Sequence, residues 1–289
     1  MKVYIDNNFF TKYETCKDES YKQALKRAFL SNKFSFYPSI YLLEEIMGIA
    51  KCGISDQLKD RIKLVLEILS GRVPNYHSRI IYNELGLESH SIFLPKLEVE
   101  SLKQKMADIY REIAPNEQMN AYLEFVEQQK NEFLELYKKR QALIMNNKQS
   151  GKNIKVSFDE FKDRGNNKNI LIEIIKQILG KTNINLDMPT INSKANSIAD
   201  NIERYKYLNI YWDIIMALHY TYDMHYYDKV NNGVEHKVDR NDGYDAFHLF
   251  YLLDLDAIFT DDQRIAAICN LIFKGNKKVV SFGGIKIYL

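Results

Sequence analysis

Four acidic residues stand where elements of the chain should begin, end or turn inward: Asp6 directly after a first apolar run, Glu45 inside a helical stretch, Asp245 at a helix start, and Asp262 after a late apolar run. In open α/β sheets the carboxyl ends of parallel strands form the crevice that binds ligands, so Asp6 and Asp262 meet there if their strands are neighbours. Two ionised carboxylates about 4 Å apart repel by roughly 4 kcal/mol at an effective dielectric of 20, and a cluster of four therefore demands a cation. An all-oxygen site with open positions suits one or two Mg²⁺ or Mn²⁺ ions, which keep several waters, activate one, and shield a phosphodiester under attack.

Taken singly, such residues have plainer uses. Asp6 alone reads as a strand-end acid holding a turn backbone. Asp242 and Asp245 stand three apart, which suits Asp242 as the helix N-cap and lets Asp245 point inward as a ligand. Glu45 is preferred to Glu44 because Leu42 and Ile46 flank its buried side, while Asp254 and Asp256 read as ordinary loop acids. Lys274, Lys277 and Lys278 are the basic residues expected to track a phosphate backbone, since they lie in the half that carries Asp245 and Asp262. Lys138, Lys139 and Arg140 read as a solvated face. His219, His225, His236 and His248 lack the spacing of a zinc site.

The elements that must position these groups follow from periodicity. Lys2 to Ile5 and Ala257 to Thr260 read as buried strands, each ended by an acid, and Lys33 to Tyr37 as a strand stopped by Pro38. Helices are expected over Tyr21 to Leu30, Ile40 to Ala50, Asp56 to Leu69, Ile170 to Leu179, Ile191 to Asp228, Tyr244 to Leu253 and Ile265 to Phe273, with a long amphipathic helix over 116–146. Residues 148–169 read as an exposed loop, and Lys278 to Phe282 with Ile285 to Leu289 as a hairpin turning at Gly283 and Gly284.

Set in order, these segments resemble the PIN-domain family. YIDNN is similar to its opening strand and D-x-N at Asp6 and Asn8, and PSIYLLEEI to its S-x5-E-[LI] helix at Glu45. DAFHL resembles its D-A-x-I-A helix start at Asp245, AIFTDD its strand ending in T-x-D at Thr260 and Asp262, and VVSF a closing strand. The T-x-D spacing alone selects Asp262 over Asp261. The resemblance covers about 1–55 and 236–289. It implies a helix-rich α/β fold, a three-layer α/β/α sandwich around a mainly parallel sheet, with a nuclease core from 1–90 and 200–289 and a helical insertion lobe at 91–199. It also implies Mg²⁺ or Mn²⁺ held directly or through water by Asp6, Asp245 and Asp262, with Glu45 completing the shell or orienting the attacking water and Asn8, Asp242, Thr260 and Asp261 in support. The activity implied is phosphodiester hydrolysis, expected as an endoribonuclease of toxin, defence or RNA-processing type. A structure-selective DNA nuclease and a silent PIN-like binding module are the alternatives, and a protein partner or inhibitor is expected on the insertion.

Composition bounds the rest. Lys plus Arg number 40 against 38 for Asp plus Glu, so no global basic field announces a nucleic-acid binder and any such contact must be local. Three widely spaced cysteines, Cys16, Cys52 and Cys269, exclude a disulfide framework and point to reduced, buried thiols in a cytoplasm. No run approaches the roughly 20 apolar residues of a membrane span, and no membrane partner is expected.

Overall fold

A computed structural model describes residues 1–112 apart from 51, 52 and 70, residues 156–232 apart from 164 and 182–185, and residues 242–289, with single positions between 120 and 142. In chain order the elements are β1 (Lys2–Ile5), α1 (Asn7–Thr15), α2 (Glu19–Leu30), β2 (Ser35–Phe36), α3 (Ile40–Ile49), α4 (Asp56–Ile68), α5 (His77–Glu84) and α6 (Lys96–Tyr110). Then come α7 (Phe158–Lys162), α8 (Gly165–Gly180), α9 (Met188–Asp200), α10 (Lys206–Asn232), α11 (Asp242–Phe247), β3 (Ala257–Phe259), α12 (Gln263–Phe273) and β4 (Lys278–Val280). The fold is a helix-rich α/β one. It divides into two compact units, the first of Met1–Tyr76, Ser91–Gln129 and Tyr251–Leu289, the second of His77–His90 and Lys130–Phe250.

The first unit holds the sheet, ordered β2-β1-β3-β4 and parallel throughout. Val3, Tyr4 and Ile5 pair with Ala257, Ile258 and Phe259, and all six side chains are fully buried, as a parallel strand covered on both faces requires. Sequence neighbours leave β1 to one side towards β2, while β3 and β4 lie on the other. The β1–β3 pair is therefore the switch point of the sheet, where ligand crevices open beyond the strands' carboxyl ends. Helix starts are fixed by side-chain caps: Asp18 accepts from the Tyr21 amide, Ser39 from Leu42 and Ser55 from Leu58, each at about 3 Å.

The second unit is helical among its described residues. Helix α8 packs on α9, and α10 packs on α5, α7 and α11. The Glu84 carboxylate accepts the Tyr207 and Leu208 amides at 2.9 and 2.8 Å and so caps the start of α10. His77 stacks on Tyr211 and Phe247 with centroids 5.2 and 5.0 Å away, and burial pushes its imidazole down to about 4, so it is neutral.

Several expectations need correction. The chain end is no hairpin: β4 pairs parallel with β3, and Gly283–Tyr288 winds as a 3₁₀ helix. In a strand Ile285 and Ile287 would share a face, yet Ile285 is fully buried and Ile287 is 82% exposed, and Ser281 accepts from Gly284 and Ile285 to start the coil. Of the loop expected over 148–169, residues 148–155 lie outside the described residues, while Phe158–Lys162 and the start of Gly165–Gly180 are helical. Ser157 and Glu160 form a reciprocal capping box, and Phe158 and Phe161 bury the short α7 beneath it. Tyr244 to Leu253 is α-helical only to Phe247 and continues as a 3₁₀ stretch, His248–Asp254. Helix α1 was not expected at all. The long helix expected over 116–146 and the cysteine at 52 lie largely or wholly outside the described residues. Cys269 is buried, its thiol pushed up to about 11, whereas Cys16 is partly exposed. Among the described residues no helix is long and apolar enough to cross a membrane.

Candidate functional site

At the switch point β1 runs straight into Asp6 and β3 into Thr260, and the ladder continues one step further: the Asp6 amide donates to the Phe259 carbonyl at 3.1 Å and the Thr260 amide to Val280 at 3.0 Å. The strands' pairing thus sets Asp6 beside Thr260 although 254 residues separate them. The Thr260 hydroxyl donates to Asp6 Oδ2 at 2.8 Å and accepts the Asp262 amide at 2.9 Å. The expected adjacency of β1 and β3 is found, and one buried hydroxyl ties both acid-bearing turns together.

Both acids are also helix caps. Asp6 Oδ1 accepts the Asn7 amide at 2.7 Å, and Asp262 Oδ1 accepts Arg264 and Ile265 at 2.7 and 3.2 Å, so α1 and α12 each begin on a carboxylate at this end of the sheet. Asp6 is only 2% exposed. Burial pushes its carboxyl above the ordinary aspartate range, the Thr260 hydroxyl and the Asn7 amide oppose that, and the nearby Asp262 charge adds to the rise. A cation placed here would relieve both burial and repulsion. Each carboxylate offers about four lone-pair positions, so hard oxygen ligation fits the pair.

A second set of bonds fixes α1. Arg61 of α4, itself nearly buried, grips Glu14 through Nε–Oε1 at 2.6 Å and Nη2–Oε2 at 2.8 Å. The same guanidinium donates to Asn7 Oδ1 at 2.6 Å and Thr11 Oγ1 at 3.2 Å. The planar guanidinium, with five donors in a fixed fork, grips one carboxylate with two bonds and still serves two further acceptors, four bonds against the three donors of a lysine. Its effect is to hold the first turn of α1, and with it Asp6, at a fixed angle to the sheet.

Beside these turns lies an open pocket of about 390 Å³ lined by Asn8, Thr11 and Lys12 of α1 and by Asp261, Asp262, Gln263 and Arg264. Asn8, Thr11 and Lys12 share a face through i, i+3, i+4 spacing. Asp261 is exposed and accepts the Phe282 amide at 3.2 Å. Arg264 reaches back to within 3.8 Å of Asp262 Oδ2.

The other nominated residues stand on other elements. Glu45 lies on α3 of the first unit and is partly buried, whereas Glu44 is the buried one of the two and accepts from the Tyr76 hydroxyl, against the expectation that Leu42 and Ile46 mark Glu45's side as the inner one. Asp245 is a partly buried residue of α11 in the second unit; Asp242 opens that helix, and the capping role expected of its side chain lies outside the described residues. Lys274, Lys277 and Lys278 precede β4, and Lys278 pairs in register with Ala257, at the amino end of the parallel sheet. That end is roughly 10 Å of strand from Thr260. Lys277 donates to the Leu253 and Leu255 carbonyls at 3.2 and 2.6 Å, and Lys278 sits over the Tyr288 ring. The lysines expected to track a phosphate backbone thus stand at the opposite end of the strands from Asp6, Thr260 and Asp262.

Sequence reading missed Lys12, Arg264 and Arg61. The only local signal for the first was Asp6 as a cap followed by helical spacing, and Arg61 acts through partners about fifty positions away. Comparison of the chain with protein-family models, with curated proteins and with solved structures returned no match.

Proposed function

We propose that the chain is a divalent-metal-dependent nuclease of PIN type that hydrolyses phosphodiester bonds, with RNA as its first substrate and DNA as the alternative. The observation that carries this reading is the parallel β1–β3 pairing, which gathers Asp6, Thr260 and Asp262 at the sheet's switch point beside an open, polar pocket. In this reading the three-layer α/β/α sandwich is the core architecture and a helical insertion elaborates it in the middle of the chain.

Asp6 and Asp262 would hold Mg²⁺ or Mn²⁺, with Glu45 and Asp245 as the further acids named by the family resemblance. The bound ion would supply an activated water and charge shielding for the phosphodiester. The chain's own groups do the rest. The Thr260 hydroxyl orients the Asp6 carboxylate through its donated hydrogen bond, and the helix caps fix the Asp262 oxygens. Arg61 holds α1, so that Asn8 faces the pocket where substrate enters.

The test is incubation of the purified chain with total RNA, single-stranded DNA and duplex DNA, with Mn²⁺ or with chelator, beside Asp6→Asn, Glu45→Gln and Asp245→Asn. Cleavage that requires Mn²⁺ and vanishes in Asp6→Asn is expected. Wild-type protein without Mn²⁺-dependent cleavage of any of the three substrates, or Asp6→Asn with full cleavage, refutes the reading.

A further inference from the structure

We propose that the pocket between the first turns of α1 and α12 seats a backbone phosphate of the nucleic acid, gripped by Lys12 and Arg264, and that it does so only once a divalent cation is bound to the acids beside it. This rests on the nuclease reading and names where the substrate lies. The argument begins with topology: a ligand at a switch point sits outside the carboxyl ends of the central strands, which here is the space between the helices that follow β1 and β3. The basic residues lining that space are Lys12 and Arg264, whereas Lys274, Lys277 and Lys278 stand at the amino end of the sheet.

Charge makes the seat conditional. Lys12 and Arg264 bring two positive charges to the pocket wall and Asp261 and Asp262 two negative ones, so the pocket is formally neutral. Asp6, just behind the wall, adds negative charge when ionised. A divalent cation on Asp6 and Asp262 reverses this balance and leaves the lining attractive to a phosphate. It also competes for Asp262, within 3.8 Å of which the Arg264 guanidinium now lies, and turns that guanidinium towards a phosphate oxygen. At 390 Å³ the space falls at the small end of the roughly 300–1,000 Å³ of ligand pockets, fit for about one nucleotide rather than a folded helix. The amide donors of Asn8 and Gln263 complete a lining that can hydrogen-bond phosphate and sugar.

The experiment measures binding, apart from cleavage. A short fluorescent single-stranded oligonucleotide, as RNA and as DNA of one sequence, is titrated by anisotropy with wild type, Lys12→Ala, Lys12→Arg, Arg264→Gln and Lys278→Ala, in Ca²⁺ and in EDTA, over a range of salt. Wild type should bind about tenfold more tightly in Ca²⁺ than in EDTA. Lys12→Ala and Arg264→Gln should each weaken Ca²⁺-dependent binding about five- to tenfold and each lower the slope of log affinity against log salt by about 0.7, the loss of one phosphate contact. Lys12→Arg and Lys278→Ala should bind as wild type, and every variant should keep its thermal stabilisation by Mn²⁺. If wild type cleaves with Mn²⁺ yet Lys12→Ala and Arg264→Gln keep its affinity and salt slope, the phosphate seat is wrong and the nuclease reading stands. If wild type binds equally well in EDTA, the cation dependence is wrong. A wild type neither stabilised by Mn²⁺ nor cleaving any substrate overturns both readings together.

Discussion

Replacing Arg61 by Met probes the scaffold of the site rather than its chemistry. Its guanidinium makes two bonds to Glu14 and one each to Asn7 and Thr11, with side-chain exposure of 9% for Arg61 and 6% for Glu14. Removing one partner of a buried ion pair leaves the other charge uncompensated, at a cost of about 3–5 kcal/mol. For a unit of this size each kcal/mol moves the melting temperature by about 2–4 °C, so Arg61→Met should melt roughly 6–20 °C below wild type. Substituting Met at Glu14 as well removes the stranded charge and should recover most of that loss, because apolar replacement of a buried pair is often neutral. Cleavage should not recover with stability. Asn7 and Thr11 would still lack their anchor, and a misplacement of about 1 Å near the reacting groups costs about a hundredfold in rate. Denaturant unfolding in metal-free buffer and a cleavage assay on wild type, single and double variants measure both effects. A single variant within about 1 kcal/mol of wild type, or a double variant no more stable than the single, refutes the clamp.

Three further outcomes follow from the same geometry. Asp6→Asn should be at least as stable as wild type in metal-free buffer, since Asn caps a helix as well as Asp and carries no buried charge, and should lose the stabilisation that Mn²⁺ gives wild type; melts with and without Mn²⁺ decide this. Because burial holds the Asp6 carboxyl above its unfolded value of 3.8, the folded protein keeps that proton to higher pH than the unfolded chain does. Metal-free stability from this group is therefore lost as pH rises from about 4 through the folded value, and the advantage of Asp6→Asn in denaturant midpoints should grow over that window and then level off. Thr260→Val keeps shape but strands the Asp262 amide and an Asp6 oxygen; it should cost about 1–3 kcal/mol without metal and lower cleavage about 10- to 100-fold, while Thr260→Ser should retain both within a few-fold.

What was legible in the sequence was whatever local pattern dictates. Lys2 to Ile5 and Ala257 to Phe259 are short apolar runs stopped by acids, and they proved to be paired central strands; the Asp6, Thr260 and Asp262 grouping follows from that pairing. Helix α1 was hidden because Asn7, Asn8, Thr11 and Thr15 are weak helix formers and its apolar residues Phe9 and Phe10 are adjacent rather than periodic. The end of the chain misled for the opposite reason: Ile285, Ile287 and Leu289 alternate as in a strand, while the Ser281 caps wind the segment into a 3₁₀ coil. The basic lining of the pocket required knowing both which end of the sheet is which and that α1 exists. Arg61 carries no local signal, because its partners Glu14 and Asn7 lie about fifty positions away in the chain.

The central pairing also has a consequence for how the protein is made. Phe259 and Thr260, which complete the strand ladder and the hydrogen bond of Asp6, are synthesised about 250 residues after it. At about 5–20 residues per second, the first strand waits between roughly 13 and 50 s for its neighbour. Pairing across so long a separation is slow to nucleate even when the whole chain is free. A nascent chain thus carries Asp6 without Thr260 and Asp262 through the synthesis of everything between them, and the hydrogen-bonded grouping of the three forms only after β3 has emerged.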